Sequence, residues 1–117
     1  ALTHKDIHIS NSCEVRRKYV DLRELFTAMF LKIYFGENLD FSSGGPEIEI
    51  AELAALIIQA TDSSSRLYRS TDNKNGLTDI YLSEDAGMEK MFGSLGLPIS
   101  SLQTQINNTI RALKAKI

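Results

Sequence analysis

The run NSCEVRRKYVDLRELFTAMFLKIYFG, Asn11 to Gly36, decides how the chain is read. Val15, Tyr19, Leu22, Phe26, Met29 and Ile33 recur along it at steps of three and four. Such a seam gathers apolar side chains on one side of an α-helix, whose period is about 3.6 residues. Asn11 stands where an N-cap would, Glu14 follows as in a capping box, and Gly36 supplies a C′ residue. The spacing therefore predicts a long first helix. Val20, Leu25, Phe30, Leu31, Tyr34 and Phe35 widen the seam until its C-terminal half is apolar nearly all round. A segment of that kind is either central in a core or covered by a partner. Arg16-Arg17-Lys18 is a short basic cluster, which Asp21 and Glu24 neutralise within one or two turns as a solvated helix face.

Downstream, Gly36 to Pro46 reads as a loop punctuated by Gly44-Gly45-Pro46. Proline suits the first turn of a helix, and Glu47, Glu49 and Glu52 put negative charge at its positive end. A second helix is predicted from Glu47 to near Arg69, with Ile50, Leu53, Ile57, Thr61, Ser64 and Tyr68 on one stripe. Its polar second half fits either a close helix crossing or a break between Asp62 and Ser65. Ser70 to Gly76 is a turn by composition, and Leu77 to Leu82 fits a helical turn or a short extended piece. A third helix after Ser83 would use Met88, Met91, Phe92 and Leu95 and end at Gly96 and Pro98. Ser100 opens a capping box with Gln103, and Leu102, Ile106, Ile110, Leu113 and Ile117 line one face of a final helix. Ala1 to Ser10 is a flexible arm or a short strand, since Ile7 and Ile9 alternate with His8 and Ser10. The expectation is an all-α fold: a single helical domain over 1–117, about four helices in a compact bundle or orthogonal array, with residues 1–10 as an extended arm.

At 117 residues, 43% hydrophobic and 24% charged, the composition is that of one globular domain rather than a disordered chain. Cys13 is the single cysteine, so no intrachain disulfide can form, which favours a reducing compartment. Ala1 to Ser10 carries His4, Lys5, Asp6 and His8 where a signal peptide needs an apolar run. The most apolar stretches, Leu25 to Phe35 and Ile50 to Ala60, are too short to span a bilayer. The expected location is cytoplasmic, with no membrane partner. A net charge of −2 advertises no global basic field. Charge is uneven, with six basic against nine acidic residues through Ile58 and seven against six from Gln59 onward. Arg111, Lys114 and Lys116 close the chain as cations that suit a helix C-terminus.

The chemistry-bearing residues are sparse. His4, Asp6 and His8 would share one face of a strand, and two histidines with a carboxylate can hold iron or zinc; on a mobile arm they would simply be solvated. Cys13, near the expected start of the first helix with Arg16 and Arg17 close by, is a candidate activated thiol. It reads equally as a small residue in a first turn, with no oriented base or oxyanion site in the pattern. Asp72 and Asn73, like Glu84 and Asp85, lack calcium-loop spacing, and Gly44-Gly45-Pro46 lacks the lysine of a phosphate loop. Gly93 and Gly96 follow no strand and make no dinucleotide fingerprint. No catalytic residue, cofactor or metal site is assigned, and the chain is expected not to be an enzyme.

Two functional readings follow. The first is a regulatory or adaptor-type binding protein that acts through a protein partner or its own second copy. Its surface is Phe26, Met29, Phe30, Ile33 and Tyr34, where apolar side chains exceed what one seam uses. The second is a DNA-binding regulator. Met91 to Ile106 has helix-turn-helix spacing, with Gly96 at the turn, Leu97 plugging the corner, and Leu102 and Ile106 anchoring the second helix. Ser100, Ser101, Gln103, Thr104, Gln105 and Asn107 would then face base edges, and Arg111 and Lys114 would touch phosphates. Any helical hairpin uses the same capping residues and glycine, and Phe92 is large for a tight crossing.

Overall fold

The computed structural model describes residues 1–10, 12–71, 79–82 and 87–116. Among these residues the chain forms β1 (Ile7–Ile9), β2 (Val15–Lys18), α1 (Leu22–Tyr34), β3 (Glu47–Glu49), α2 (Ile50–Ala60), β4 (Leu67–Arg69), β5 (Asp79–Ile80), α3 (Gly87–Ser94) and α4 (Leu102–Lys114). The all-α expectation is overturned, and the helical bundle or orthogonal array falls with it. The fold is mixed α/β, with four helices and five strands in two sheets among the described residues. The expected cap at Asn11, the turn residues from Asp72 to Gly76 with Leu77 beyond them, the start of the third helix at Ser83 to Asp85, and Ile117 lie outside the described residues. Among those described, no helix is long and apolar enough to cross a membrane.

The long first helix is half strand. Val15 to Lys18 form β2, and the helix starts only at Leu22, where Asp21 is extended (φ −67°, ψ 128°) and its carboxylate accepts from the Arg23 N–H at 2.8 Å. Side chains four apart share a face both in a helix and in a strand, so the step from Val15 to Tyr19 does not distinguish the two. The helix ends as expected. Gly36, at φ +66°, turns the chain while its N–H reaches the Ile33 carbonyl. The second helix is also shorter than expected. Glu47 to Glu49 are strand, α2 stops at Ala60, and Asp62 takes a left-handed conformation (φ +49°) within the stretch anticipated as a break. Leu67 to Arg69 then form β4.

The backbone separates into two compact units: Ala1–Arg17 with Glu47–Tyr81 and Ile106–Ile117, and Lys18–Pro46 with Leu82–Gln105. In the first unit β1 and β4 pair in parallel, Ile7 beside Leu67 and Ile9 beside Arg69, so the N-terminal segment is no free arm. A three-stranded sheet has the order β3-β2-β5, with β2 and β5 parallel. Ile9, Ile48, Ala54 and Ile106 are buried there. In the second unit Ala28, Met88 and Phe92 form the core, with Val20, Leu25, Leu31, Phe41, Met91 and Ile99 packed around them. Gly45 is required at its place: at φ +99° a Cβ would lie 2.1 Å from the Tyr19 carbonyl oxygen.

Candidate functional site

Helix α1 has two apolar faces. Ala28 is buried, Leu25 and Leu31 are half-buried, and this side packs toward α3 within the second unit. On the opposite side Leu22 (61% exposed), Phe26 (50%), Phe30 (73%), Ile33 (60%) and Tyr34 (82%) face solvent. Leu22, Phe26, Phe30 and Tyr34 are each four residues apart, which aligns them as one ridge along the helix. Phe35, the C-cap residue, is also half exposed, its ring edge-on to Tyr34 at 5.3 Å between centroids, but it follows buried Ala28 by seven residues and so lies off the ridge. Met29, named with the others from sequence, is half-buried at the margin. Leu22 and Phe35 were not among the surface residues expected. Leu22 was assigned to the core seam, although its place four residues before Phe26 sets it on the exposed ridge.

The margins of this face are polar. The Arg23 side chain is 78% exposed, with Asp21 3.6 Å away. Lys32, four residues after Ala28, is on the packed side instead, its Nζ 2.9 Å from Glu37 Oε2 and over the Phe41 ring. Glu24, on the inner side, accepts from the Ser100 N–H at 2.7 Å and from the Ser100 hydroxyl at 2.5 Å.

That contact removes Ser100 from the base-reading set and corrects its expected role as a cap. The N-cap of α4 is Ser101, whose Oγ accepts from the Thr104 N–H at 3.2 Å. Helix α3 ends at Ser94 and α4 begins at Leu102, so seven residues intervene, and Leu97 is exposed instead of plugging a corner. Gly96 does take the left-handed conformation, at φ +70°. Gln103, Thr104, Asn107, Arg111 and Lys114 are exposed along α4, whereas Gln105 turns its amide to the Tyr19 and Ser100 carbonyls.

The N-terminal ligand set is not assembled. His4 lies outside β1 at φ +59°, which breaks the strand alternation that would have aligned it, and its Nδ1 accepts from the Ser64 N–H. Asp6 accepts from the Arg66 N–H, and His8 stacks on Tyr68 at 5.1 Å between centroids. Among the described residues no group of three or more His, Cys, Asp or Glu could hold a metal ion. Cys13 precedes the strand β2 rather than the helix expected there.

In the first unit buried Glu49 gathers several partners. Its carboxylate caps α2 through the Ile50 and Ala51 N–H groups, accepts from the Val15 N–H, and is paired with Arg69, which also donates to the Cys13 carbonyl. Burial alone would raise its pKa. The Arg69 guanidinium and the three backbone donors outweigh that and hold it at about 2. Every one of these partners is structural, so the network fixes the strands around α2. In the second unit an open hollow of about 540 Å³ is bounded by Pro46, Phe92, Leu97 and Ile99. Its polar margin is engaged internally, with Glu89 on the Gly45 N–H and Ser100 on Glu24. No family model matches the chain, and no curated protein or solved structure is detectably similar to it.

Proposed function

We propose that this chain is a non-enzymatic binding protein, of regulatory or adaptor type, that acts through a protein partner docked on the outer face of α1. The observation that carries the reading is the exposed ridge of Leu22, Phe26, Phe30, Ile33 and Tyr34 on a helix whose other face is already packed. Monomeric soluble proteins expose contiguous apolar patches of no more than about 300–600 Å², and larger ones mark interaction sites. Aromatic side chains with few charges among them are also the composition of interface centres. A photo-crosslinking phenylalanine analogue at Phe30, set against the same analogue at exposed Gln103, tests the proposal in cells. Discrete protein adducts from position 30 and none from 103 are expected. If position 30 gives no adduct, the reading fails.

A second reading, DNA binding through α4, draws support from the exposure of Gln103, Thr104, Asn107, Arg111 and Lys114 along one helix. It predicts salt-dependent binding of duplex DNA that weakens on replacing Arg111 or Lys114. No binding at low salt would remove it.

A further inference from the structure

We infer that the occupant of the α1 face is the α1 face of a second copy, packed antiparallel about a two-fold axis near the middle of the helix. This rests on the protein-docking reading and names its partner. Three features of the face select a self-pair. The first is size. The exposed parts of Leu22, Phe26, Phe30, Ile33 and Tyr34 amount to roughly 600 Å², about three-quarters of the ~800 Å² that each partner contributes to a standard interface. One helix face on each copy therefore supplies most of an interface.

The second is symmetry along the ridge. Leu22 and Tyr34 lie six residues either side of position 28, and Phe26 and Phe30 lie two either side. Reversing the helix about that midpoint sets Phe26 against Phe30 and, on the flank they share, Leu22 against Ile33, twice over. An isologous contact requires this kind of self-complementarity.

The third is charge. Arg23 is the exposed cation at the N-terminal end, on the same flank as Tyr34, three turns along. Helical side chains lean toward the N-terminus. In the antiparallel pair each Arg23 therefore comes over the other copy's Tyr34 ring, at the negative end of that helix and on the side of its acidic Glu37 and Asp40. A parallel pair would instead set Arg23 against Arg23.

The test is the association state of the full chain by sedimentation equilibrium up to roughly 100 µM, a range that reports micromolar dissociation constants. The wild type is expected to be a dimer. Phe30→Asp, at a solvent-facing position, should weaken it at least about a hundredfold, with far-UV circular dichroism unchanged. Arg23→Glu and Tyr34→Lys should each weaken it about tenfold, and combining them should recover most of that loss. The new carboxylate and the new ammonium are too far apart within one helix to pair, and they meet only across an antiparallel interface. A dimer indifferent to Phe30→Asp, or a double variant weaker than either single, overturns the inference. So does a wild type that stays monomeric, and an apolar dye then separates the two claims. Dye fluorescence lost on Phe30→Asp leaves the docking face standing without the self-pair. No dye binding removes both.

Discussion

Glu49 shows how one carboxylate can set a local fold. It ends β3, caps α2 and holds Arg69 at the end of β4, so three elements meet at one side chain. Its pKa lies at about 2 in the folded chain, against an ordinary value of 4.5. A carboxylate depressed in this way contributes its stability in full above its unfolded pKa and loses it as pH falls through the folded one. Glu49→Gln should therefore cost about 2–3 kcal/mol at neutral pH, from lost charge-assisted hydrogen bonds and the loss of the carboxylate charge facing Arg69. The difference between variant and wild type should shrink as pH drops from 4.5 toward 2. Urea unfolding at several pH values measures both, and a pH-independent difference would show that the charge is not what matters. Gly45 is the second constrained residue. A methyl group there meets the Tyr19 carbonyl and the φ is unfavourable, so Gly45→Ala should destabilise by more than about 1 kcal/mol. A substitution at Gly93, whose Cβ position is open, serves as the comparison.

Among the elements, helix ends marked by strong local signals were legible, whereas of the short strands only β1 and β5 were open, each as one of two alternatives, from Ile7 and Ile9 and from Leu77 to Leu82. The C-terminus of α1 could be read from Gly36, and that of α3 from Gly96, because glycine at a left-handed position is a local requirement. Each strand is too short for alternation to be counted. β2 and β5, like β1 and β4, pair in parallel across long sequence separations, which leaves no hairpin turn to read. The break between β2 and α1 is marked in the sequence only by Asp21, a good N-cap, while the apolar spacing runs straight through it. Asp21→Ala should remove the carboxylate that satisfies the Arg23 N–H and lower stability by about 1 kcal/mol, with helix content falling at the α1 end. Hydrogen exchange at Arg23 and Glu24 is the direct readout. The candidate face followed the same logic. Phe26, Phe30, Ile33 and Tyr34 were legible as surplus apolar surface because one helix cannot bury all its sides on one neighbour. Leu22 was not, since only the true helix start reveals which side it takes.

At the scale of the whole molecule, the apolar residues divide between a small interior and a large exterior. Met88 is fully enclosed, while Phe30 and Tyr34, on a helix packed toward the same α3, are mostly in water. Truncating the first should cost about 2–5 kcal/mol, as core deletions do. Changing the second pair should leave the stability of the isolated chain nearly unchanged and alter only its association. Linkage joins the two. If α1 binds a second α1 in the folded state alone, mass action adds to the apparent stability as concentration rises above the dissociation constant. The thermal midpoint of the wild type should therefore climb between roughly 1 and 100 µM, whereas that of Phe30→Asp should stay flat. Scanning calorimetry across that range separates an interface from a merely tolerated patch. Parallel slopes for the two proteins would mean that the exposed ridge plays no part in holding copies together.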